Sequence, residues 1–150
     1  MTDDWDAGAA SHRALRGVRR ELDRHPAVVT TEGFPATLHS EIVAELSPSR
    51  LDAAVTATEP TLTVRWFAGE RPAAPPGFSF HYSDRHGDFG WHHGSNPHVD
   101  GRGHYQERLD EGVYTYTPHG FDSTQPTRVG WVVVSLVENR LTTWPDRRQD

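Results

Sequence analysis

Cysteine and lysine are both absent from these 150 residues, and no apolar run approaches bilayer-spanning length. Without cysteine there is no disulfide, no thiolate metal ligand and no sulfur nucleophile, so any metal would rest on His, Asp or Glu. Without lysine the basic complement is 15 arginines, outweighed by 21 acidic residues to a net charge of -6. That balance excludes a broad electrostatic grip on nucleic acid, which neutralises several phosphates at once, and leaves room only for local arginine contacts. Lacking a run of about 20 apolar residues or a basic-then-apolar leader, the chain is expected to be cytoplasmic and free of membrane. No GxGxxG, Walker loop, GxSxG or HExxH pattern occurs.

What the chain has in excess is histidine. Six of its ten histidines (His81, His86, His92, His93, His98 and His104) fall between Phe80 and Gln106, interleaved with Asp84, Asp88, Asp100, Arg85 and Arg102. Imidazole is the side chain whose ordinary pKa lies nearest neutrality and is also the commonest metal ligand, so this density points to proton transfer, metal binding or pH sensing.

The length suits a single domain over residues 1–150, with 1–8 and 143–150 expected as flexible tails and Trp5 the one anchor in the first. A helix is predicted from Ala9 to about Arg24, capped by Ser11 and stopped by Pro26, with Ala14, Leu15, Val18 and Leu22 as its apolar stripe. Its other face carries Arg13, Arg16, Arg19, Arg20 and Arg24, a solvated face or a docking face for RNA or an acidic partner. Strand-like segments follow at 27–31 and 38–46, where Leu38, Ile42, Ala44 and Leu46 repeat with period two. The stretch 51–58 is ambiguous between helical turn and strand, whereas 61–68 alternates Leu62, Val64 and Trp66 against Thr63, Arg65 and Phe67. After a proline-rich connection at 69–77, hairpins are expected at 78–93 and 104–117, around a glycine-rich excursion at 94–103. A closing helix, capped by Ser123 or Thr124 with Pro126 in its first turn, runs to about Leu141. This order predicts an α+β fold: an antiparallel meander with an N-terminal and a C-terminal helix packed on one face and the other face left open. Strand alternation places His81, and one of His92 or His93, on that open face beside the loop bearing His98. Trp66, Trp91, Trp131 and Phe80 are expected in the core, His12, His25 and His39 at the surface, and His119 within reach of the cluster.

Three chemistries fit the cluster. Metal-free RNA cleavage needs a base for the 2'-hydroxyl, an acid for the leaving 5'-oxygen and a cation over the phosphate. His98 and His104 with Arg102 between them, His92 opposite, and Tyr105 or Gln106 in support would supply these. A divalent metal such as zinc is the alternative, held by His92, His98, Asp100 and His104 in a non-enzymatic metal- or ligand-binding protein. The third is a purely structural bonded loop around Asn96-Pro97.

The blocks TLTVRWFAG (Thr61 to Gly69), FSFHYSD (Phe78 to Asp84), WHH, NPH and GHYQ together resemble the TumE-like toxins of toxin-antitoxin systems, over roughly a third of the chain. His81 and Tyr82 match that family's first histidine element, Asn96, Pro97 and His98 its second, and His104 its last. The arginine-tyrosine-aspartate run before the asparagine is replaced here by Trp91-His92-His93-Gly94-Ser95, and the closing histidine pair by His104-Tyr105-Gln106, so Arg102 would stand in for the lost arginine. The resemblance implies growth-inhibiting action on RNA, restrained by a cognate antitoxin with a helix-turn-helix module; joined to the histidine acid-base chemistry above, it leads to the expectation of a cofactor-free endoribonuclease with His81, Tyr82 and Asn96 in support.

Overall fold

The computed structural model describes residues 4–51, 59–110 and 112–145. Helix α1 (Ala7–Asp23) leads into seven strands, β1 (Val28–Phe34), β2 (Glu41–Leu46), β3 (Thr61–Phe67), β4 (Gly77–Asp84), β5 (Gly87–His93), β6 (Gly103–Leu109) and β7 (Thr115–Pro118), and α2 (Pro126–Leu141) closes the described chain. Among the described residues the strands form one antiparallel sheet in sequence order. This is the expected α+β meander flanked by two helices.

One face of the sheet makes the core. In β3 to β5, Leu62, Val64, Trp66, Phe78, Phe80, Tyr82, Phe89 and Trp91 are buried and belong to one cluster with Leu15, Val18 and Leu22 of α1 and Val129, Val133, Val137 and Leu141 of α2. The intervening residues Ser79, His81, Ser83, Asp88, Gly90 and His92 therefore project from the opposite face, because successive strand side chains alternate. The helices approach closely where Gly130 faces Val18 and Gly17 faces Thr127.

Several expectations are corrected. Asp6, not Ser11, caps α1, accepting the Ala9 N–H at 3.0 Å, while Ser11 is buried inside the helix, donating to Ala7 O and accepting from Ala68 N–H. Gln125 rather than Ser123 or Thr124 caps α2 through a side-chain bond from Arg128 N–H. Leu38 lies outside β2 and is exposed. His39, expected at the surface, is buried over Gly33, where its ring meets Arg19 and its Nδ1 faces Pro35 O. Trp5 does anchor the N-terminal arm, donating to Gly69 O at 2.9 Å. The ambiguous stretch beyond Leu51, residues 52–58, lies outside the described residues.

The two tryptophans of the last third exchange their expected places. Trp131 stands 68% exposed on the outer side of α2, whereas Trp144, assigned to a frayed tail, is 5% exposed. It packs on Tyr82 and Phe89, donates to Asp84 Oδ2 at 3.0 Å and lies under the Arg140 guanidinium. Arg140 in turn pairs with Glu107 and bonds Tyr105 on the helix side of β6. Losing a buried indole leaves a cavity as well as its transfer energy, so Trp144→Ala should cost about 3–5 kcal/mol in urea unfolding. Trp131→Ala should stay within about 0.5 kcal/mol. Equal effects of the two substitutions would contradict this packing.

Candidate functional site

Register builds the site. On the open face Arg65 (β3), Ser79 (β4), His92 (β5) and His104 (β6) lie in one cross-strand row, because Arg65 pairs with Ser79, Ser79 with His92 and His92 with His104. The next row runs Thr63, His81, Gly90, Gln106 and Tyr116, and the third joins Thr61, Ser83, Asp88 and Arg108. Gly90 is what lets His81 lie across β5: a Cβ there would stand 2.5 Å from His81 Nδ1 and from Phe80 O.

Asp88 anchors the arrangement. Its carboxylate is largely buried and receives His81 Nε2 at 2.6 Å, the Tyr114 hydroxyl at 2.5 Å and Arg108 at 3.1 Å. Burial pushes its pKa up, but the donors from Tyr114, His81 and Arg108 outweigh this and hold it below the usual carboxylate value. The Tyr114 hydroxyl, partly buried and facing that carboxylate, is pushed up to about 12 and remains a donor at neutral pH. The Arg108 guanidinium also sits over the Tyr114 ring, 4.7 Å from its centroid.

The other nitrogen of His81, Nδ1, is 3.1 Å from His92 Nε2. His92 stacks in turn on His104, with ring centroids 5.0 Å apart. Burial first, then the charges of His81, His104 and Arg65, pull the His92 pKa down to about 3, so this ring is neutral at pH 7. His104 is 3% exposed, and its Nε2 faces Gln106 Oε1 at 3.0 Å and Asn96 Nδ2 at 3.3 Å, while its Nδ1 is buried without a partner. Asn96 is oriented by the His98 N–H, which it accepts at 2.8 Å, and the exposed His98 ring lies flat on Tyr116 with centroids 4.4 Å apart.

Of the residues singled out from sequence, His81, His92, His104, Asn96 and Gln106 come together directly, and His98 joins them through Asn96 and Tyr116. Tyr82 does not: it is fully buried on the helix face, donating to Asp84. Tyr105 likewise points to the helix side, donating to Glu107, with burial and that carboxylate raising its pKa. His93 stacks on Phe78 on that side too, and His119 packs on Phe121 and faces Trp91 rather than the cluster. Arg102 is exposed just before β6 begins, and Asp100 is exposed in the same loop. Among the described residues no group of three or more His, Asp or Glu side chains is gathered to hold a metal ion, so the set His92, His98, Asp100 and His104 does not form a ligand sphere. Asp88, counted in the histidine stretch but given no role, and Arg108, Tyr114 and Tyr116 were missed. The alternation of β5 and β6 placed beside their register would have found the first two.

Comparison with protein-family models, curated proteins and solved structures gives no match to this chain. No helix of the described residues is long and apolar enough to cross a membrane. Chemically, the face offers a fixed carboxylate, three imidazoles in sequence, a phenol and an exposed ring pair, which suits proton transfer.

The depressed His92 value has a thermodynamic sign. Below the ordinary histidine pKa of about 6.5 the unfolded chain binds a proton that folded His92 refuses, so its contribution to stability falls as pH drops from about 6.5 toward 3. The loss should approach about 1 kcal/mol per pH unit after allowance for partial exposure. Asp88 contributes in a separate window, losing its stabilisation only as pH falls below the ordinary carboxylate value of about 3.9. Urea unfolding at pH 7, 6 and 5 should therefore show a shallower pH slope for His92→Asn than for wild type. Identical slopes would contradict the assigned burial of this ring.

Proposed function

We propose that this chain is a metal-independent endoribonuclease of TumE-like toxin type, cleaving RNA on the open sheet face by histidine acid-base chemistry. The observation that carries this reading is the connected run Asp88, His81, His92 and His104, in which a buried carboxylate fixes one imidazole and two further imidazoles follow in contact. RNA carries its own nucleophile in the 2'-hydroxyl, so the protein has to supply only a base, an acid and a cation. The exposed His98 ring on Tyr116 offers a π surface for an unstacked base, the usual way single-stranded RNA is held. Arg65, 70% exposed beside His92 and ion-paired with Glu41 at 2.7 Å, and the exposed Arg102 are the arginines that would meet phosphate.

The net charge of -6 opposes RNA binding overall, so recognition would rest on few phosphates. With two contacts the logarithm of affinity should fall with the logarithm of salt at a slope of about -1.4. The same reading gives the protein a cognate antitoxin with a helix-turn-helix module and a cytoplasmic RNA substrate. His81, held by Asp88, replaces His98 at the centre of the proton-handling group, while His98 stacks on the nucleobase.

The test is cleavage of a single-stranded RNA oligonucleotide in the presence of EDTA by wild type, His81→Ala and His104→Ala. Wild type should cleave, and each substitution should lower the rate by about 100-fold or more, the usual contribution of an acid or base. RNA left intact by wild type, or cleaved equally by the variants, would overturn the reading.

A further inference from the structure

We propose that His92 and His81 act as a two-ring proton relay: His92 Nδ1 takes the proton from the substrate hydroxyl, and the positive charge comes to rest on His81 beside Asp88. This deepens the ribonuclease reading and rests on it.

The proton positions follow from the partners. An ionised carboxylate only accepts, so His81 Nε2 carries a hydrogen toward Asp88 Oδ1 at 2.6 Å. In neutral His81 the Nδ1 atom is then an acceptor, and the 3.1 Å contact requires His92 Nε2 to donate to it. His92 Nδ1 is thereby left as a bare lone pair on the open face. When that lone pair takes a proton, His92 passes its Nε2 hydrogen to His81 Nδ1. The substrate O–H and the His92 Nε2–H bonds break, and His92 Nδ1–H and His81 Nδ1–H bonds form. His92 ends neutral in its other tautomer, and His81 ends as imidazolium.

The surrounding charges drive the transfer in that direction. His92 faces Arg65 from β3, His104 from β6 and His81 from β4, and with burial these outweigh the Asp88 carboxylate of its own strand, so a charge kept on this half-buried ring is opposed. His81 faces the Asp88 carboxylate, which Arg108 of β6 and Tyr114 before β7 hold in place, with Gln106 and Tyr116 completing its row. Tyr114 and Arg108 are accordingly positioning residues. Alone, His92 would be a poor base because its pKa is depressed; coupled to His81, it receives protons without retaining them.

The experiment is long-range proton–nitrogen NMR of the ¹⁵N-labelled full chain across a pH titration without RNA. His92 should hold its hydrogen on Nε2 while His81 is neutral and on Nδ1 once His81 is protonated, the two changes sharing one midpoint. In His81→Phe, a substitution on the open face, the His92 tautomer should no longer follow pH. A His92 tautomer that stays fixed through the His81 titration, or that still switches in His81→Phe, would overturn the relay. Coupled switching in a protein that leaves RNA intact would sink the ribonuclease reading and leave the relay standing. Cleavage without coupling would sink the relay alone.

Discussion

The buried carboxylate of Asp88 is the interaction on which the open face depends. It sits on β5 but is met from β4 by His81, from β6 by Arg108 and from the chain entering β7 by Tyr114. Desolvating a carboxylate costs far more than burying an amide, and the cost is offset only when its lone pairs are filled. Here three different elements fill them, so the carboxylate also fixes how those elements' side chains stand on the sheet. Its partners are held as firmly as it is, because any one of them leaving would strand a buried charge.

The two faces divide the labour. On the helix side, aromatic rings and branched aliphatics from β2 to β5 interlock with α1 and α2, and the Arg140–Glu107–Tyr105 group satisfies the polar atoms where α2 crosses β6. That packing makes β4, β5 and β6 a rigid platform. The proposed proton exchange needs such a platform: donor and acceptor nitrogens must stay within about 3 Å of one another, and sites on strands hold such spacings better than loops do. The polar face is free to carry histidine, aspartate and tyrosine because the opposite face has already supplied the core.

Much of this was legible from residue order. Period-two alternation identified β3 and β4 and placed His81, with one of His92 or His93, on the open face; the pairing of His92 with Ser79 and His104 is what selects His92. The helix stripe Leu15, Val18, Leu22 was visible for the same reason. What escaped was set by tertiary contacts. Trp144 is polar-flanked and near the end of the chain, and only its docking on Phe89 and Tyr82 makes it core; Trp131 lies in an apolar run, yet α2 turns it outward. Asp88 and Tyr114 are 26 residues apart and meet through two hairpin registers, which local pattern does not encode. The site read from spacing centred on His98, Arg102 and His104, neighbours along the chain, whereas the sheet brings His81 across β5 to Asp88 and His92.

The central claim is that imidazoles, not a metal, open the RNA chain by activating its own 2'-hydroxyl. The most direct measurement is the chemistry of the product ends after digestion of a defined RNA by wild-type protein, read by mass spectrometry. The account predicts 2',3'-cyclic phosphate, or the 3'-phosphate it hydrolyses to, opposite a 5'-hydroxyl, and no cleavage of a strand carrying 2'-deoxy sugars throughout. Ends bearing 5'-phosphate and 3'-hydroxyl, or cleavage of the deoxy strand, would contradict it.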